Sequence, residues 1–388
     1  MIKLFDSHCH LQDPRILNMV PKIIKTTTET GVVHFAVNGV SEKDWHLVKE
    51  MSERYPCIVP NFGLHPWFIT ERTPNWLKTL RGFLESTPAA AVGEIGLDKG
   101  SFGRKIDFAD QVDVCRQQLQ LAKELERPAS IHCVRAFGDL LELLKSVGPV
   151  PAGFILHSYL GSAEMVPEFA KLGAYFSFSG FLMSMKESKA KKMLKSIPKD
   201  RILLETDAPD ALPKLSNPDS LYLIEKEASS ADGTSSEGIN DGNPSEKSPE
   251  EDKGNEQQAE EIHNHPANIH HVLSYVASLL VLTKEELAEI SFANASRLFA
   301  YEGSKILQEV PVLCLTKLPW WLCVQGGPLQ VLKMMCHNMT IGFLRRNAAS
   351  VLISATASDT SISSCMRQEL KIVLISSTDK SIVRLFTI

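Results

Sequence analysis

Between residues 4 and 205, short β-rich runs alternate with helix-patterned stretches, and one run after another ends in a side chain able to coordinate a cation. No other feature restricts the possible folds of this chain so tightly. The expected strands cover 3–6, 32–38, 58–62, 91–94, 129–132, 153–157, 175–179 and 201–205. Strands separated by helices pair in parallel, because a parallel connection must cross over the sheet face and a helix usually makes that crossing. Eight such units predict an α/β protein of the (β/α)8 TIM-type barrel class. The intervening stretches carry the matching period: in 108–126, Val112, Cys115, Leu119 and Ala122 recur at helical spacing.

A barrel of this kind commonly occupies about 250 residues, and the chain has 388. The surplus falls in two places. Residues 227–261 are rich in Ser, Glu, Asp, Gly and Asn, with Ile239 as the one large apolar residue, and no aromatic occurs between Tyr222 and Tyr275. So little apolar surface cannot offset the entropy of ordering, and a disordered acidic insertion is expected. Helical patterning returns at 267–282 and at 283–290, where Thr283 and Glu286 have the spacing of a capping box. The barrel domain is expected to span 1–299. Residues 303–388 read as an atypical C-terminal extension of unknown role, poorly ordered, with 371–376 as its one strand-like run.

The net charge of -5 averages unlike parts: residues 216–262 hold 13 Asp or Glu against 3 Lys, while 303–388 hold 9 Lys or Arg against 4 acids. The remainder is neutral overall. A broad basic surface for nucleic acid is therefore absent, and any grip on phosphate has to be local or supplied by metal. The N-terminus lacks a charged leader followed by an apolar run, and no apolar run reaches about 18 residues. An intracellular protein, cytoplasmic or nuclear, without a membrane span is expected. The 8 cysteines include no CxxC pair, so reduced thiols are the default.

The candidate chemistry sits at the strand ends. Asp6-Ser7-His8-Cys9-His10 follows the first, Gly63-Leu64-His65-Pro66 the third and Gly93-Glu94-Ile95-Gly96 the fourth. Ile131-His132-Cys133 ends the fifth, Leu156-His157-Ser158 the sixth and Glu205-Thr206-Asp207 the eighth. In a (β/α)8 barrel those ends converge on one rim, where active sites are found. His8 and His10 are two apart, so on extended backbone both side chains point to one side, as joint ligation requires. Imidazole and carboxylate together suit zinc, manganese or iron, whereas an all-oxygen set would suit magnesium or calcium. One HxH pair is a weak signal; agreement among His8, His10, Glu94, His132, His157 and Asp207 is a strong one.

The stretches DSHCHLQD (6–13), FGLHPW (62–67), VGEIGLD (92–98), SIHCVRA (130–136), ILHSYLG (155–161) and LLETDAP (203–209) resemble the TatD-related deoxyribonucleases of the amidohydrolase-like superfamily. With NHPANI (264–269) and FANASRLF (292–299), the resemblance spans 1–299. It implies two divalent metal ions, with magnesium, manganese or zinc as candidates. One would be held by His8, His10, Glu94 and Asp207 and the other by Glu94, His132 and His157, so that Glu94 bridges. Such a pair clamps the attacking and leaving oxygens of a phosphodiester. Asp207 would orient the water or take its proton, which makes Asp207 and Glu94 the catalytic candidates. His65 is expected to contact phosphate or a third metal, and Arg135 to meet phosphate bidentately. The implied activity is hydrolysis of DNA, from a 3′ end or in single strands, by metal-bound hydroxide, with no obligate protein partner.

Two other readings stand beside it. The same site could hydrolyse a small cyclic amide, lactone or phosphoester, as related barrels do; those often bridge their metals with a carboxylated Lys, where Glu94 stands here. A catalytically idle barrel could instead serve as a binding module through the acidic insertion. Among neighbouring residues, Glu205 is expected to support a ligand from behind. His263, His265, His270 and His271 follow the insertion and are expected to be solvated. Cys9 and Cys133 alternate away from the ligands and read as packing thiols.

Overall fold

The computed structural model describes residues 2–215, 217–224 and 262–309, together with the strands Ser350–Ser354, Lys371–Ile375 and Ile382–Thr387. Eight strands form one parallel sheet in sequence order: β1 (Leu4–Cys9), β2 (Val32–Asn38), β3 (Ile58–Phe62), β4 (Ala91–Asp98), β5 (Ala129–Val134), β6 (Phe154–Leu156), β7 (Ala174–Phe178) and β8 (Ile202–Leu204). Just past β8 the ring draws together. Asp207 N–H donates to the His8 carbonyl at 2.9 Å, and His10 N–H to the Ala208 carbonyl at 2.7 Å. The expected (β/α)8 architecture is the one observed.

Helices α1 (Val20–Glu29), α2 (Trp45–Arg54), α3 (Trp76–Ser86), α4 (Phe108–Glu124), α5 (Phe137–Val147), α6 (Val166–Lys171) and α7 (Glu187–Ser196) occupy the crossovers. Each presents an apolar stripe to the strands. In α4 this is Val114, Cys115, Leu119, Leu121 and Ala122, and burying such side chains contributes about 1.5–3 kcal/mol for each larger one. After β8 come a two-stranded clasp, β9 (Leu223–Ile224) with β10 (His263–Asn264), then α8 (Ile269–Leu280), α9 (Lys284–Phe299) and α10 (Lys305–Glu309). Residues 227–261, the expected disordered insertion, lie outside the described residues.

α9 places the site by closing the opposite end. Its Leu298 and Phe299 pack with Phe5, Val59, Ile155 and Leu203 near the strand starts, and Phe299 stacks on Phe5 with ring centroids 5.2 Å apart. This apolar plug fills one mouth and leaves polar side chains to the other. Tyr301 and Ile306, past the expected boundary near Phe299, are buried in the same cluster. The expected 283–290 helix and FANASRLF are one helix, opened by the capping box: Thr283 Oγ1 accepts from Glu286 N–H, and Glu286 Oε2 accepts from Thr283 N–H.

Strands β1, β4 and β5 run further than their sequence limits, so His8, expected just past its strand, and Glu94 and His132, expected as the last residues of theirs, all lie within strands. The ladder from β4 to β5 continues through Asp98 opposite Val134. Gly96 permits this: it has φ +148°, and a Cβ there would collide with the His132 carbonyl oxygen. The remaining chain forms a second unit, within which β11 (Ser350–Ser354), β12 (Lys371–Ile375) and β13 (Ile382–Thr387) pair antiparallel. β12 falls in the expected run 371–376; the other two strands had no clear alternation to announce them. No helix among the described residues is long and apolar enough to cross a membrane.

Candidate metal centre

Six of the residues singled out in the sequence meet around Glu94 in the open mouth. Its two carboxylate oxygens face different partners. Oε2 lies 3.4 Å from His8 Nε2 and 3.2 Å from His10 Nε2. Oε1 lies 2.8 Å from His157 Nε2, 3.0 Å from His132 Nδ1 and 3.4 Å from His65 Nε2. Asp207 joins the first group, with Oδ1 3.5 Å from His10 Nε2 and 3.8 Å from His8 Nε2. His8 and His157 stack between the groups, centroids 4.0 Å apart and rings within 9° of parallel. His8 is fully buried, and Glu94, His65, His132, His157 and Asp207 are nearly so.

On the far side of His10 and His132 an acceptor decides which nitrogen faces inward with a lone pair. His10 Nδ1 is 2.8 Å from the Asn38 carbonyl, which can only accept, so neutral His10 carries its proton there and turns a bare Nε2 to the centre. His132 Nε2 is 3.3 Å from Asp98 Oδ2, which leaves Nδ1 bare. His8 Nδ1 is 2.8 Å from Ser130 Oγ, a hydroxyl that can donate or accept, while His157 Nδ1 lies 3.7 Å from Glu205 Oε1 and has no hydrogen-bond partner among the described residues. Inward lone pairs then oppose one another and the carboxylates: His8 Nε2 and His10 Nε2 are 3.2 Å apart, and His132 Nδ1 and His157 Nε2 are 3.1 Å apart. Such a convergence is satisfied by protons or by cations. Nitrogen and carboxylate donors in these numbers suit divalent transition ions.

His65 is built differently. Its Nδ1 accepts from Trp67 N–H at 3.2 Å, so the neutral ring carries its proton on Nε2 and donates toward Glu94. Burial lowers its pKa to about 4 and keeps it neutral. A donor at this position fits contact with a carboxylate or phosphate oxygen better than ligation of a third metal.

Charge runs through the cluster in a consistent sense. Burial alone would raise the Glu94 carboxyl, but the imidazoles of His157, His65, His8 and His10 outweigh it and hold Glu94 well below the ordinary range. Burial pulls His10 and His157 down, yet the carboxylates of Asp207 and Glu94 around the first, and of Glu94 and Glu205 around the second, lift both well above the usual imidazole value. His132 is raised in the same way by Asp98 and Glu94. His8 is lowered, by burial and by the facing His157.

Several residues around the cluster escaped the sequence. Asp98 receives His132, the Trp67 indole N–H at 2.5 Å and the Gly100 N–H. Burial raises its carboxyl, but these bonds outweigh it and hold the pKa at about 2. The available signal was strand parity, since Asp98 stands four residues beyond Glu94 on the same face of β4. Ser130 and the Asn38 carbonyl carry no comparable sequence mark. Asp6, two before His8, accepts from Thr206 N–H at 2.9 Å and from its hydroxyl, and so fixes the turn that holds Asp207. Glu205 takes bonds from the Ser158 N–H and hydroxyl and from Ser177 behind His157, as expected of a supporting carboxylate.

Arg135 is exposed, has φ 54° and makes no hydrogen bond or ion pair with a described residue, so it is not among the groups that meet around Glu94. One expectation fails. The histidines after the insertion are not solvated as a group: His263 and His265 are buried. His265 caps Ala267 N–H through Nδ1, and burial lowers its pKa to about 4. His270 bonds the Thr30 carbonyl and His271 that of Ser220. The helix turn beginning at Pro266 is what draws this segment inward. Cys9 is buried with Sγ 3.7 Å from the Ala36 carbonyl, and burial pushes the Cys9 and Cys133 thiols up, as inert packing groups require.

Comparison with known proteins bears on this arrangement. A family model described as TatD related DNase matches residues 5–300. An uncharacterized metal-dependent hydrolase of Bacillus subtilis, YabD, is 29% identical over 296 residues, 76% of this chain and 98% of the relative. A protein of Pantoea vagans named 3′-5′ ssDNA/RNA exonuclease TatD is 28% identical over 214 residues, 54% of this chain and 81% of the relative. Among solved structures, the Escherichia coli TatD homolog YjjV superposes with a TM-score of 0.60 at 23% identity, covering 77% of this chain and 98% of that one. That last likeness concerns the fold.

Proposed function

We propose that this chain, which belongs to the TatD related DNase family, cleaves phosphodiester bonds of DNA with two divalent cations shared through Glu94. The coarser statement stands as the family's own: it is a metal-dependent hydrolase. The observation that carries the finer one is the division of Glu94, Oε2 toward His8 and His10 and Oε1 toward His132 and His157. His8, His10, Glu94 and Asp207 would hold one ion, and Glu94, His132 and His157 the other. Bound there, the ions supply Lewis acidity, lowering the pKa of a water and neutralising phosphate charge.

The chain's own groups do the rest. Asp207, held by its N–H on the His8 carbonyl, offers a carboxylate at the mouth of the cluster to take a proton from the attacking water. His65 keeps its proton on Nε2 and offers it to a phosphate oxygen or to Glu94. Asp98 and the Asn38 carbonyl hold the His132 and His10 rings so that their lone pairs stay inward, Ser130 positions His8, and the Glu205 carboxylate stands behind His157. The apolar plug of Phe5 and Phe299 closes the other mouth, so substrate enters from the ligand side only.

The test pairs metal analysis with turnover of an end-labelled single-stranded oligonucleotide. About two divalent ions per chain and shortening from the 3′ end are expected, and Glu94→Ala should lose both ions and all cleavage. A protein that holds metal and opens lactones or cyclic amides, but leaves oligonucleotides intact, would overturn the nuclease reading.

A further inference from the structure

Nine large apolar side chains are exposed among the described residues, and the four aromatic ones among them lie on one rim. Trp67, Phe102, Leu160, Phe181 and Tyr222 sit on the loops that follow β3, β4, β6, β7 and β8, all on the ligand-bearing rim. Exposed aromatics gathered on one face mark a binding surface. Two of them touch each other and reach the metal ligands: Trp67 and Phe102 have ring centroids 5.0 Å apart, and Trp67 lies 4.9 Å from the His65 ring and 6.0 Å from the His132 ring. Trp67 is anchored through its indole N–H on Asp98, whereas Phe102 is 60% exposed and has no such tie.

Beside this pair opens a cleft of about 470 Å³, which includes Lys99, Arg104, Lys105 and Asp107 in its wall. Lys105 Nζ stands 5.4 Å from the Phe102 ring, and neither Arg104 nor Lys105 has an acidic partner among the described residues. Lys99 is paired with Asp139, and the Asp107 carboxylate is engaged as the cap of α4. Two unpaired cations behind an exposed aromatic face fit a stacked base with phosphates running past it. A duplex keeps its bases stacked inside and offers no such face to the rings.

We infer that Trp67 and Phe102, backed by Arg104 and Lys105, form a stacking subsite for an unpaired nucleobase and its flanking phosphate beside the metal centre. The inference rests on the nuclease reading given above and adds to it where the nucleotide next to the scissile bond is held. Its ligand is single-stranded nucleic acid, gripped by ring face and backbone and therefore tolerant of base identity.

The test uses the full-length, manganese-loaded protein and two fluorescent probes that resist hydrolysis, a phosphorothioate oligothymidine and the same backbone with abasic sugars. Stacking contributes about 1–3 kcal/mol per base, so the wild type should bind the thymidine probe roughly 5- to 150-fold more tightly than the abasic one. Phe102→Ala should bring that ratio near unity, and Phe102→Trp should restore it. Lys105→Gln should lower the slope of log affinity against log salt by about 0.7, one phosphate's worth on a single strand. If the wild type binds and cleaves oligonucleotides while Phe102→Ala keeps the full preference for bases, the subsite is refuted and the nuclease reading survives. If the wild type neither binds nor cleaves either kind of strand, the nuclease reading has failed and the subsite falls with it.

Discussion

Asp98→Asn is the most discriminating change to the candidate centre, because it alters the site without touching a proposed ligand. The wild-type carboxylate accepts on both oxygens: Oδ2 from Trp67 and His132, Oδ1 from Gly100. An amide of the same shape must turn its NH2 toward one of those sides, and each side already presents a donor. Facing His132, it forces a choice. If the ring becomes the acceptor at Nε2, its proton moves to Nδ1, 3.0 Å from Glu94 Oε1. The lone pair that the second cation needs is then gone. Loss of such an orienting partner typically costs 10–100-fold in metal affinity, about 1.4–2.7 kcal/mol. That range matches the roughly 1.5–3 kcal/mol of one hydrogen bond to a charged group. Calorimetric titration of chelator-stripped protein with manganese should show one ion bound as in wild type and one weakened by that factor. A cycle with His132→Ala decides the cause: in the His132→Ala background, Asp98→Asn should weaken metal binding no further. An equal loss in both backgrounds would refute the argument that Asp98 acts through the His132 tautomer.

Three other outcomes are open to measurement. His132→Ala should retain the ion at His8, His10 and Asp207 yet lose most phosphodiester cleavage, whereas His8→Ala should lose that ion; metal analysis showing His132→Ala empty and His8→Ala full would reverse the proposed division. For pH, the sign follows from His10 and His157, both raised by neighbouring carboxylates. In metal-free protein their protonation stabilises the fold fully below the unfolded value of about 6.5, and this is lost as pH rises through the raised folded values. Metal needs the deprotonated rings, so the rise in melting temperature on adding manganese to chelated protein should grow as pH rises above the reference imidazole value of about 6.5, and a rise that stays constant would contradict these ligands. Thr283→Ala removes the side-chain half of the capping box on α9, the bond from Glu286 N–H to Thr283 Oγ1, and leaves the Thr283 N–H bond to Glu286. It should cost about 1 kcal/mol, read as a shift of roughly 2–4 °C in melting temperature; no shift would show that α9 is held by its plug alone.

Much of the candidate site was legible because side chains able to ligate a cation stand out at the ends of apolar runs. His8, His10, Glu94, His132, His157 and Asp207 each sit at a strand whose apolar run is plain, and a barrel brings successive strands to one rim whatever the helices contain. Limits were harder. Gly96 and the ladder opposite β5 extend β4 past Glu94, and nothing in a one-dimensional pattern tells a strand that its neighbour will keep pairing. Asp98 and Ser130 escaped because their role is to hold a ring supplied by another part of the chain. The failure at His265 has a local cause. Side-chain type suggests what a residue is able to bind, but exposure is set by the turns beside it, here a helical turn from Pro266 after His265.

The two-residue clasp of β9 and β10 has a bearing on how such chains vary in length. Because Ile224 pairs with His263 and Leu223 with Asn264, the two ends of the intervening segment are already side by side. Closing a loop between fixed neighbours costs only about 0.6 kcal/mol more for each doubling of its length. A lineage can therefore extend, trim or replace that segment almost freely, and a laboratory can graft a reporter there. The freedom has one condition. Asn264 also hands its N–H to the Pro209 carbonyl and its side-chain amide to that of Thr206, so any cargo that pulls the clasp apart pulls on the turn carrying Asp207.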